Sequence, residues 1–128
     1  MYENPNHSIE ARTHAWTTIA KEFSTNSIDY TGLDMYREIA WQRQLHLFEV
    51  PFYYIEYGIA QLGAIGMWMQ YQKNPTLALE NYMNALSLGG TKTLPELYQT
   101  AGISFDFSSS YVKTLMDFTR DELEKLYQ

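Results

Sequence analysis

The chain has 128 residues, of which 45% are hydrophobic and 19% charged, with a net charge of -6 and a pI of about 4.9. That composition is globular and fits one domain over residues 1–128, and its acidity argues against a nucleic-acid backbone or an anionic membrane as the main partner. The absence of cysteine excludes disulfides, thiolate metal sites and cysteine nucleophiles.

The start, Met1 to His7, is polar, so no leader is expected and a cytoplasmic location is the default reading. Ile9, Trp16, Ala20 and Phe23 follow a helical repeat and predict a first helix over about residues 7–24. Ser24 to Ser27 is a polar breaker. Leu33, Tyr36, Ile39 and Ala40 mark a second helix running to about Leu47. Pro51 then forces a kink or tight loop near 47–50, because proline disfavours helical geometry in Val50 before it. A long third helix is expected from Pro51 or Phe52 to near Lys73. It carries Glu56, Gln61 and three glycines, so it reads as a buried helix and not a membrane span. Gly58, Gly63 and Gly66 each cost about 1 kcal/mol against alanine there. Such a run points to a close backbone approach, either within this chain or from a helix it does not contain.

Asn74-Pro75 opens a fourth helix, with Asn at the cap and Pro just inside, and Gly89-Gly90 closes it as a left-handed stop. Thr93 to Glu96 matches a capping box and starts a short fifth helix ended by Gly102. Ile103 to Phe107 reads as extended linker. Ser108 to Ser110 caps a last helix with Val112, Leu115, Met116, Thr119, Leu123 and Leu126 on one face. The expected fold is an all-α bundle of five main helices and one short one.

Chemistry-bearing residues are few. None of His7, His14 and His46 is followed by Glu, so the chain has no H-E-x-x-H zinc motif. His7, Glu10 and His14 share a helical face at offsets of three and seven, a spacing that suits a solvated polar face better than a metal site. No nucleophile elbow or phosphate loop is present. The richest stretch runs from His46 to Tyr57, around Pro51. Tyr53, Tyr54 and Tyr57 are spaced three and four apart, as side chains that share a sector of a helix are. Phenols donate hydrogen bonds at neutral pH, and a histidine beside them can donate too. The cluster is either a packed aromatic knot or a cradle for a developing negative oxygen.

Trp41-Gln-Arg-Gln-Leu-His46-Leu-Phe-Glu-Val-Pro51-Phe-Tyr-Tyr-Ile-Glu-Tyr57 resembles the C-terminal part of the oligoendopeptidase F family, thimet-oligopeptidase-like zinc metallopeptidases. The resemblance continues through Ala85 to Leu97 and Ala101-Gly-Ile103, and includes His7 to Arg12, Trp16 and Asp29 to Leu33. It implies a helical peptidase in which two histidines of H-E-x-x-H and a further glutamate hold zinc, and the motif glutamate activates water. By resemblance, His46, Tyr53, Tyr54 and Tyr57 bind substrate and the tetrahedral oxyanion, with Tyr57 the first choice for the oxyanion and Tyr54 the second.

In the family the zinc motif lies upstream of these residues. This chain is therefore expected to carry the oxyanion side without a metal ligand or cofactor of its own, and to be inactive alone. Zinc is expected only in a full-length family member. An oligopeptide is expected to bind productively only when the zinc-bearing N-terminal part is supplied. Otherwise a second copy is expected to cover the orphan face. The alternative is a helical interaction module that binds peptide or self-associates through a tyrosine-rich groove.

Overall fold

A computed structural model describes residues 4–25 and 27–127, and its regular elements there are all helical, with no strand. Met1–Glu3 of the polar start and Asn26 of the breaker lie outside the described residues. The all-α expectation holds. The chain divides into two compact units, Met1–Tyr54 and Ile55–Gln128.

In the first unit, α1 spans Ile9–Glu22, and the Ser8 hydroxyl accepts the Ala11 N–H at 3.2 Å to cap it. The second expected helix is not continuous. It is split into α2 (Asp34–Glu38), a 3-10 turn (Ala40–Arg43) and α3 (His46–Glu49). The break coincides with a tertiary contact. In an unbroken helix the Arg37 carbonyl would accept the Trp41 N–H. Here it accepts the Trp16 indole N–H at 3.0 Å, from a residue 21 positions upstream. The backbone leaves helical geometry at Ile39 (φ -97, ψ 1) and again at Gln44 (φ -86, ψ 79). These bends bury Trp41, which is 6% exposed and lies against Phe48 at 5.8 Å between ring centroids.

The third expected helix starts later than proline placement suggests. Val50 is outside the helical region (φ -135, ψ 84), as its position before Pro51 favours. The Tyr53 N–H donates to the Val50 carbonyl at 3.2 Å, and Phe52 has φ +64. Pro followed by a residue of positive φ is the pattern of a type II turn. Glycine is the usual occupant of that second position, and a phenylalanine there carries backbone strain. Regular helix resumes at Ile55.

The second unit holds α4 (Ile55–Lys73), α5 (Pro75–Ser87), α6 (Leu94–Thr100) and α7 (Ser109–Lys125). α4 packs on α5 and α7, and α5 on α6. The caps fall where local chemistry puts them. Asn74 Oδ1 accepts the Leu77 N–H at 3.2 Å, and Ser108 Oγ accepts the Tyr111 N–H at 3.3 Å. Glu96 accepts both the N–H of Thr93 at 2.9 Å and its hydroxyl at 2.7 Å. Gly89 takes the left-handed conformation (φ +52), while Gly90 does not and belongs to a short 3-10 turn. Residues 103–107 are irregular, as expected.

Two of the three helix-four glycines are answered within the chain. Gly63 and Gly66 are buried. A Cβ at Gly63 would stand 2.5 Å from the Tyr98 hydroxyl, and one at Gly66 would stand 3.4 Å from that of Tyr111. Tyr98 in turn donates to the Ile59 carbonyl at 2.8 Å. Gly58 faces open space. Around this contact lie fully buried Leu115, buried Ala78 and Ala101, and edge-to-face rings of Trp68 on Phe118 and Tyr98 on Phe105.

Candidate functional site

Gln44, His46, Tyr53 and Tyr54 meet in the first unit because α3 is a single turn. His46 opens that turn, and the turn at Pro51-Phe52 returns the chain toward it. The His46 imidazole stacks on Tyr53 with centroids 5.8 Å apart and planes 8° apart. Tyr54 meets the same imidazole edge-on, also at 5.8 Å, with planes at 71°. The Tyr54 hydroxyl donates to Gln44 Oε1 at 3.0 Å. The imidazole is half-buried, whereas Tyr53 and Tyr54 are 47% and 45% exposed.

The sequence spacing grouped Tyr53, Tyr54 and Tyr57 as neighbours on one helix. The structure corrects that geometry. Tyr53 and Tyr54 stand on the turn before α4, and only Tyr57 is on the helix, in its first turn and in the second unit. Tyr57 is 56% exposed. The contact between His46 and the two earlier tyrosines comes from the tight turn and not from helical periodicity.

Two participants escaped the sequence reading. Gln44 fixes the Tyr54 hydroxyl, and its position two residues before His46 was the available signal. Phe52 has positive φ, and nothing in a phenylalanine announces that.

The other histidines do not assemble a site. His7 precedes α1 and is not on its face, and its Nδ1 is bonded to the Asn4 carbonyl at 2.5 Å. Among the described residues no three His, Asp or Glu side chains come together as a metal site. No helix among them is long and apolar enough to cross a membrane.

Large apolar side chains also stand on the surface. On α5, Leu79, Tyr82, Met83 and Leu86 recur at helical spacing and are all exposed, while Ala78, Asn81 and Ala85 turn inward.

The family model of peptidase family M3 matches residues 2–117. No curated protein and no solved structure matches the chain.

Proposed function

The chain belongs to peptidase family M3, and from that premise we propose that it forms the substrate- and oxyanion-binding side of a zinc metalloendopeptidase site of the oligoendopeptidase F type, acting on oligopeptides. The family match over residues 2–117 carries the reading. The exposed tyrosines beside His46 support it, because side chains that reach solvent can reach a peptide substrate.

Among the described residues no His, Asp and Glu side chains gather as a zinc site. In this reading zinc and the water-activating glutamate come from a polypeptide outside these residues, and the chain alone is expected not to hydrolyse peptides. In this reading Tyr57 donates to the carbonyl oxygen as negative charge develops on it. Tyr54 is the second choice, because its one hydroxyl proton is given to Gln44 Oε1 and has to turn away from it before it can serve an oxyanion. His46 and Tyr53 bind the substrate backbone.

The test mixes the chain with a separately produced polypeptide bearing the family's H-E-x-x-H helices and follows cleavage of a quenched oligopeptide. Chelator-sensitive cleavage is expected in the mixture only. Tyr57→Phe is expected to lower kcat by about a hundred- to a thousandfold, the usual effect of losing one oxyanion donor. Chelator-sensitive cleavage by the chain alone refutes the reading. So does unchanged turnover when Tyr54 and Tyr57 are both replaced by phenylalanine.

The exposed α5 stripe favours a second reading, in which two copies pair through that face. Sedimentation across a concentration series tests it, and a strict monomer at the highest concentration removes it.

A further inference from the structure

A cavity of about 280 Å³ lies in the first unit, between α1 and the 3-10 turn that carries Trp41. Its walls are mostly apolar, from Trp16, Ile19, Trp41 and Leu47, and Asn4, His7 and Arg12 also line it. The Arg12 guanidinium sits over the Trp41 ring, 5.2 Å from its centroid. That placement holds a cation against an aromatic face. Among the described residues no carboxylate pairs with Arg12.

Three nitrogens here are sealed from solvent with no hydrogen-bond partner: Arg12 Nε, Trp41 Nε1 and His7 Nε2. Trp41 is the most telling, because its side chain is more than nine-tenths buried and its indole N–H can only donate. Buried donors without acceptors are rare in folded proteins. The neighbouring Trp16 shows the ordinary outcome, since its indole N–H is satisfied by the Arg37 carbonyl at 3.0 Å. The lining thus carries a positive charge and two buried N–H donors without a partner, on Arg12 and Trp41, while His7, whose Nδ1 donates to the Asn4 carbonyl, presents Nε2 as an acceptor.

We propose that the cavity binds a carboxylate attached to an apolar body, with the carboxylate on the Arg12 guanidinium and the body between Trp16, Ile19 and Leu47. A guanidinium offers two parallel N–H donors to a carboxylate, which a neutral amide cannot use with the same charge assistance. Small aryl-alkanoic acids and the C-terminal end of a peptide with an apolar last residue share this chemistry. The proposal does not depend on peptidase activity, and its test uses neither zinc nor cleavage.

The whole chain is titrated with 3-phenylpropionate and 3-phenylpropanamide, and with acetyl-Gly-Phe as free acid and as amide. Tryptophan fluorescence and calorimetry follow binding. Both acids are expected to bind saturably and each amide at least about tenfold more weakly. Binding by only one of the two acids identifies the source, a chain end or a small acid, within the proposal. Arg12→Gln is expected to remove the preference for acid over amide while far-UV circular dichroism stays unchanged. Ile19→Trp, at an exposed rim position, is expected to block both acids. Equal binding of acid and amide overturns the proposal. So does the lack of saturable binding by either acid at millimolar concentration, and this outcome needs no variant to fold.

Discussion

Gly63→Ala and Gly58→Ala are the same substitution five residues apart on α4, and they are expected to change stability in opposite directions. Alanine is favoured over glycine inside a helix by about 1 kcal/mol, so both variants start from a gain of that size. At Gly58 nothing lies within 4 Å of the new methyl group, and the gain is kept. At Gly63 the methyl group would lie 2.5 Å from the Tyr98 hydroxyl oxygen, 2.9 Å from Cζ and 3.3 Å from Cε1. The ring has to move. Moving it strains its edge-to-face contact with Phe105, at 5.1 Å between centroids, and breaks its hydrogen bond to the Ile59 carbonyl. Overpacking costs about 1–3 kcal/mol and the lost bond about 1 kcal/mol. The net expectation is destabilisation by roughly 1–3 kcal/mol at Gly63 against stabilisation of up to about 1 kcal/mol at Gly58. Urea unfolding of the two variants and the wild type checks this, with unchanged m-values showing that only stability has moved. Trp68, packed on Phe118 in the second unit, supplies the local signal. A Gly63→Ala variant as stable as the wild type would refute the close approach of Tyr98 to α4.

Two further expectations concern pH. Burial, followed by the nearby Tyr111 and Glu56, raises the Tyr98 phenol above its ordinary value of 10.0. Its contribution is therefore intact below pH 10.0 and is lost as pH rises through the folded value, so Tyr98→Phe should flatten the alkaline limb of the stability profile. If the limb is unchanged, Tyr98 is not held protonated by its surroundings. The Thr93 N–H and then its hydroxyl hold the Glu96 carboxyl below its ordinary value of 4.5. That stabilisation is present above pH 4.5 and is lost as pH falls through the folded value, so Glu96→Gln should make the acid limb shallower. An acid limb as steep as that of the wild type counts against the cap.

Asn74-Pro75, Thr93 with Glu96, and Ser108 were legible as helix starts because the cap and its partner lie within three residues of each other. The all-α class followed from the same local rules together with the 3.6-residue repeat. The break after α2 was not legible. It coincides with an indole from α1 bonding a carbonyl 21 residues away, and no short window along the chain contains both groups. The start of α4 was misplaced for a related reason. Proline signals a turn or a helix start equally well, and the positive φ of Phe52 chose the turn.

Residue types alone thus determined the helical class, the caps and the choice of His46, Tyr53, Tyr54 and Tyr57 as candidates. Packing set the rest: the His46 stack on Tyr53, the link from Tyr54 to Gln44, and the fit of Gly63 to Tyr98. Caps and periodicity are energies between near neighbours in sequence, so they can be read along the chain. The direction of a ring, or the room beside a glycine, depends on atoms that only folding brings close.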